Sequence, residues 1–350
     1  MNGPRSLDLG VFAIVMGTGI VAVDMRNHDV PAISRLLVAG AVVAYVLLVV
    51  LVLSRVIAFP AEVRAELADP GRGFGSLTFV AATNVLGVLA AADGEPGAAL
   101  GLLAVGAVGW LLLGYAVPSA VLLNRGVRAV AAEANGTWFL WVVAVQSVAV
   151  LAASIEPTTR AARPELALLA VACWSIGVVL YGGVALVVAG ALMRRRPDPA
   201  ELAPPYWIAM GATAITTVAG ARITEMARAP ALDITRGLAA AVSVVAFAFG
   251  TWLIPPLLAL GWWRHVRHRV ALRYETTWWS IVFPLGMYSA AGHDLGVADR
   301  LPLVAAVGDV AGWTAVAAWL ISFLVMVVDL IRRWGWRWRP TSRRRDGEGP

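Results

Sequence analysis

WWSIVFPLGMYSAAGH, residues 278–293, decides how the rest of the chain is read. It is free of acidic and basic side chains apart from His293, follows a basic loop (Arg264–Arg273) and is closed by Asp294. As a helix it would reach about 24 Å, short of the roughly 30 Å hydrocarbon core of a bilayer. Pro284 lacks a backbone N–H and its ring collides with the carbonyl four residues back, so a kink or break is predicted there. Broken backbone survives in hydrocarbon only where protein or a water-filled path covers it. The stretch therefore reads as an inner, pore-facing helix; the plainer alternative is an ordinary kinked packing helix.

The remainder of the 350 residues agrees with a membrane setting. Hydrophobic residues make up 59% and charged ones 14%, where a soluble protein carries about a quarter charged. Mean hydropathy is +0.76. The chain has no lysine, so its net charge of +6 is set by arginine. In a membrane protein that excess reports topology, and it gives no ground for a nucleic-acid partner. One cysteine, Cys173, excludes an intramolecular disulfide. Arg5 followed by Leu9–Val23 resembles a signal peptide, but the Met16-Gly17-Thr18-Gly19 break and the lack of a small-residue cleavage site favour a retained first span.

Apolar runs are bounded by clusters of arginine and carboxylate. They are 9–23, 33–53, 77–92, 98–123, 138–154, 166–193, 206–221, 238–263, 278–293 and 302–331, alternately short and long. The short ones begin at Leu9, Leu77, Trp138, Tyr206 and Trp278, at intervals of 61 to 72 residues. A near-constant period marks a repeated helical hairpin. The predicted fold is an all-α polytopic membrane protein of ten transmembrane helices, arranged as five short–long hairpins around a central pore. The transmembrane domain covers residues 1–331, and residues 332–350 form a basic, Trp/Arg-rich tail predicted to be disordered at its end.

The arginines divide 20 to 8 between the two sets of loops. The positive-inside rule then places both termini in the cytoplasm of a cell (inner or plasma) membrane protein.

Catalytic chemistry has little material here: there is no phosphate loop, nucleophile elbow or HExxH motif. His265 and His268 lie in a basic loop that would repel a metal. No catalytic residue, metal site or cofactor is expected. The short runs gather small and polar side chains, and the candidates for a pore lining are Gly17, Thr18, Gly19, Asn84, Gln146, Thr213, Thr216, Thr217 and Gly286. Such side chains admit close backbone approach and local hydrogen bonds, and packing notches are the plainer alternative for each. Trp279, Phe283, Gly286 and Ala290 would share one face of a helix, with Thr213, Thr216 or Thr217, and Gly220 as the facing stripe. Phe283, carried by Pro284, makes a pore gate. Arg222 stands at the outer mouth, either paired with Glu225 three residues on or drawing anions to the entrance.

The segments Phe12-Ala13-Ile14-Val15-Met16-Gly17-Thr18-Gly19 and Trp278–Ser289, with five hairpins over nearly the whole chain, resemble the tellurite-resistance/dicarboxylate transporter family. That family includes bacterial tellurite-resistance channels, fungal malate permeases and sulfite pumps, and the slow anion channels of plant guard cells. The resemblance implies a homotrimer with one pore per subunit, occluded by the phenylalanine before the proline of the ninth span, here Phe283. It implies small inorganic or organic anions as the transported partners: C4-dicarboxylate, sulfite, chloride or nitrate, or tellurite. A proton-coupled dicarboxylate or sulfite exporter and a non-conducting membrane scaffold are the alternative functions.

Overall fold

The computed structural model describes residues 5, 7–126, 131–194, 198–199, 204–227, 230–272, 274–298 and 300–336. Among them are ten long helices and one short one, and no strand. Inner helices are α1 (Ala13–Asn27), α4 (Thr78–Ala92), α6 (Phe139–Ile155), α8 (Ile208–Glu225) and α10 (Trp279–Ala298). Each is followed by a longer partner: α2 (Pro31–Ala58), α5 (Pro96–Arg125), α7 (Arg163–Arg194), α9 (Pro230–Trp262) and α11 (Pro302–Trp336). The short α3 (Pro60–Leu67) lies between the first two hairpins.

Local sequence explains these boundaries. Four of the long partners start on proline (Pro31, Pro96, Pro230 and Pro302), whose fixed φ suits the first helical position and whose missing N–H costs nothing there. The turn between α4 and α5 needs a left-handed residue and has Gly94 at φ 80°. Each inner helix is preceded by a 3-10 turn: Leu9–Phe12, Gly73–Leu77, Gly136–Trp138, Pro204–Trp207 and Thr276–Trp278. Asp8 and Asn135 cap two of these turns, accepting from the N–H groups of Gly10 and Thr137 at 2.7 and 2.9 Å.

The inner helices close into a ring in the order α1, α4, α6, α8, α10 and back to α1, and their five 3-10 turns close a second ring at one end. Burial separates the two sets. In α1, α4 and α6, with their lead-in turns, 78–89% of the apolar stretch is buried; in the five outer helices the share is 11–28%. The exposed outer faces carry residues such as Leu36, Val43, Leu112, Val179, Val245 and Leu303. Eight helices among the described residues are long and apolar enough to cross a membrane. α8 and α10, which carry Arg222 and Glu225, and His293 and Asp294, towards their C-terminal ends, do not reach that measure.

Two details differ from the sequence reading. α10 continues unbroken through Pro284. The proline stands in its second turn, and its ring is received by Gly211 of α8, where a Cβ would lie 3.0 Å from Pro284 Cγ. Burial among neighbouring helices thus holds the helical course that the missing hydrogen bond would loosen. α11 also runs past Ile331 to Trp336, so the start of the basic tail is helical; residues 337–350, including the stretch predicted to be disordered, lie outside the described residues.

The 3-10 end is fastened by charge. Arg55, near the end of α2, and Glu66 of α3 form a buried ion pair of 2.6 Å. The other carboxylate oxygen of Glu66 accepts the backbone N–H of Leu9 at 2.9 Å. α3 thereby clips the start of the first inner helix to the end of its outer partner.

Candidate functional site

At the end opposite the 3-10 turns, the C-terminal ends of all five inner helices surround one cavity of about 330 Å³. Its wall includes Arg26 from α1, Ala92 from α4, Ser154 from α6, Arg222 and Glu225 from α8, and Asp294 from α10. Val23, Val88 and Arg222 also border a second cavity deeper in the ring. This neck measures about 30 Å³, narrow but large enough to admit water. All five inner helices contribute to it again, with Ile20, Val85, Val150, Ile215, Val218, Met287 and Ala290, together with Asn84 and Ser147. The arrangement is a charged vestibule narrowing into a mostly apolar neck on the axis of the ring.

The axial stripe of α10 is Met287, Ala290 and Asp294, spaced at one helical face. Phe283 precedes Met287 by four residues, continues that stripe one turn deeper, and is fully buried. The stripe passes through Met287 rather than Gly286, correcting the face drawn from sequence. Gly286 is turned to α1, where a Cβ would stand 2.7 Å from Ile20 and 3.1 Å from Asp24. Trp279 is likewise turned to α1: a Cβ on Gly17 would lie 3.0 Å from its ring.

The remaining candidates divide sharply. Asn84 borders the neck and donates to Ser147 Oγ at 2.8 Å. Gly19 receives Val85 of α4, with 2.6 Å between an added Cβ and Val85 Cγ1. Thr18 faces outward and accepts from Trp319 Nε1 of α11 at 3.0 Å. Gln146 lies between α6, α7 and α8, donating to Thr216 Oγ1 at 3.1 Å and to the Trp174 carbonyl at 3.3 Å. Thr213 stands against Gly250 of α9, and Thr217 donates to the Ser243 carbonyl at 3.2 Å. Thr213 and Thr217 of α8 therefore meet the outer helix α9 and Thr216 meets Gln146, while the same helix turns Ile215, Val218 and Arg222 to the axis.

Arg222 lies at the junction of vestibule and neck. Its Nε donates to Asp294 Oδ2 at 3.0 Å and its Nη1 donates to Ser154 Oγ. The ion pair is thus made to the neighbouring inner helix α10 rather than to Glu225, the partner that the spacing had offered. Asp294, which the sequence reading left as a boundary marker, is a wall residue; its place eleven residues after Phe283 on the same helical face was the available signal.

Beside the neck, Asp24 of α1 is fully buried. Its oxygens lie without a hydrogen bond of good geometry, and Ser289 of α10 is the hydroxyl that faces it. His265 and His268 serve their own loop: His265 Nδ1 meets the Val270 carbonyl at 2.9 Å, and the His268 ring lies edge-on to Trp263. Among the described residues no three metal-ligating side chains are grouped.

Comparison with known proteins adds the following. The family model described as voltage-dependent anion channel matches residues 6–327. An uncharacterized membrane protein of Mycobacterium tuberculosis (strain H37Rv) is 55% identical over 151 residues, which is 43% of this chain and 77% of the relative. Two proteins of Methanocaldococcus jannaschii, each named an uncharacterized transporter, match at 25% and 26% identity. They align with 91% and 89% of this chain and 94% and 90% of their own lengths.

Proposed function

We propose that this chain, which belongs to the voltage-dependent anion channel family, passes small anions along the axis of its inner ring and that Phe283 closes the path. One observation carries the reading. All five inner helices contribute to a vestibule that narrows into a mostly apolar neck, with an arginine at the junction and no acidic side chain among the described residues of the neck wall. A neck without carboxylates has no ring of negative charge to favour cations, and Arg222 gives anions a reason to enter. Phe283, one turn beyond Met287 on the axial stripe, supplies the ring that blocks the end.

In this reading all ten long helices cross the membrane, both termini are cytoplasmic and the vestibule opens to the outside. The lipid-facing outer helices provide the surfaces on which a homotrimer assembles, each subunit keeping its own path. The transported class is small inorganic or organic anions, with C4-dicarboxylate, sulfite, chloride or nitrate, and tellurite as the set to test.

A proton-coupled exporter is the second reading, and Asp24 is the observation that favours it. A buried carboxylate beside the path is a place where a proton can travel with the solute. Fluxes of chloride, nitrate, sulfite, malate and tellurite into proteoliposomes, with and without a pH gradient, test both. Flux of an anion without a gradient supports the channel, strict dependence on the gradient supports the exporter, and no flux even in Phe283→Ala removes both.

A further inference from the structure

We propose that the Arg222 guanidinium is a binding site for a small planar oxyanion, of the carboxylate or nitrate kind, and that the Asp294 carboxylate is its built-in competitor. The inference deepens the anion-path reading and rests on it. Three residues border both cavities, and of Val23, Val88 and Arg222 only the arginine is polar. Whatever passes from vestibule to neck passes this side chain.

The way the guanidinium is held points to a ligand. Its five N–H groups form a planar fork that suits two oxygens at once. Asp294 engages it through Nε with one oxygen, Oδ2, at 3.0 Å. Ser154 takes Nη1, and Nη2 makes no hydrogen bond among the described residues. The fork is thus oriented by two neighbours and left partly unfilled. Arg222 and Asp294 are both reached from the vestibule, with side-chain exposures of 22% and 17%. Arg26, the other cation in the wall, is held by Asp93.

An incoming oxyanion offers the fork two oxygens and can displace a carboxylate held through one. Asp294 is covalently part of the wall, so it competes at a high and fixed local concentration. It balances the arginine's charge when the site is empty, with the Glu225 carboxylate also close enough to feel both, and an arriving anion has to exchange with Asp294. Spherical halides, which cannot span the fork, should displace it less well than acetate or nitrate at equal concentration.

The test is binding, read as the rise in unfolding temperature of purified protein titrated with acetate or nitrate at constant ionic strength. Wild type, Asp294→Asn and the double variant Arg222→Gln/Asp294→Asn are compared; Asp294→Ser replaces the first if the asparagine variant does not fold. The expected result is a half-maximal concentration about tenfold lower in the Asp294 variant and no response in the double variant. Equal concentration dependence in wild type and the Asp294 variant overturns the proposal, as does a response that survives in the double variant. Flux through Phe283→Ala is scored separately. If flux is absent while the binding gain remains, the transport reading fails and the site stands; the converse sinks the site alone.

Discussion

Arg222 Nε and Asp294 Oδ2 lie 3.0 Å apart and join the fourth and fifth inner helices where the vestibule meets the neck. With Ser154 bound to the same guanidinium, three of the five inner helices are tied at one point. Glu225 was the nearer partner by sequence, three residues along α8. Arg222 and Glu225 both lie on the face of α8 that carries Ile215 and Val218 into the neck, yet the ion pair of Arg222 is made with Asp294 of the adjacent α10.

Shortening the residue that ends the axial stripe should open the path. Phe283→Ala is expected to raise anion flux with oligomeric state unchanged, and Phe283→Leu to raise it less, since much of the volume remains. A ring that only packed between helices would behave otherwise, costing about 3–5 kcal/mol on truncation without altering flux. Flux and melting temperature measured on both variants separate the two outcomes.

Topology can be read with single cysteines. Cys173 is buried, and its replacement by serine gives a cysteine-free background. Ala98 and Ala161, exposed near the vestibule end, should label from outside intact cells after substitution by cysteine; Ala65, exposed on α3, should not. Reversal of these reactivities would invert the orientation drawn from the arginine count.

The clip at the opposite end is expected to be a stability element. Glu66→Ala leaves Arg55 buried without its counter-ion and frees the Leu9 N–H. Loss of one member of a buried pair costs about 3–5 kcal/mol. A melting temperature lowered by several degrees, partly restored by Arg55→Leu in the same chain, is the expected pattern. An unchanged midpoint in Glu66→Ala would show that the pair contributes nothing.

Assembly is open to direct mass measurement in mild detergent. A mass of three chains is expected, held by the exposed faces of the outer helices. Monomers or dimers alone across several mild detergents would contradict it.

The hairpin repeat was readable because bilayer thickness and burial write it into segment length: long runs face lipid and short ones do not. Charge clusters placed the runs but not their exact starts: α2, α5 and α9 begin at Pro31, Pro96 and Pro230, ahead of the 33, 98 and 238 read from hydropathy. The axial faces were not readable in the same way. An inner helix is covered on every side, so its apolar pattern has no preferred face. Thr18, Thr213 and Thr217 looked like a lining because hydroxyls suggest water. In the structure each donates to a carbonyl one turn back along its own helix, and they face the outer helices. The valines, isoleucines and Met287, which looked like packing, border the neck. Asn84 and Arg222 are the candidates that border the neck, and each is a polar residue whose inner helix turns it to that cavity.

The five lead-in turns gathered at one end have an electrical consequence. Five parallel helices add their peptide dipoles, each worth about half a positive charge at its start and half a negative charge at its finish. Buried in a low-dielectric ring, these partial charges are weakly screened. An anion arriving at the turn end meets five positive poles. One arriving at the vestibule meets five negative poles and the carboxylates of Glu225 and Asp294, set against Arg26 and Arg222. The two directions of travel are therefore unequal, and with identical solutions on both sides the opened protein should behave as a rectifier.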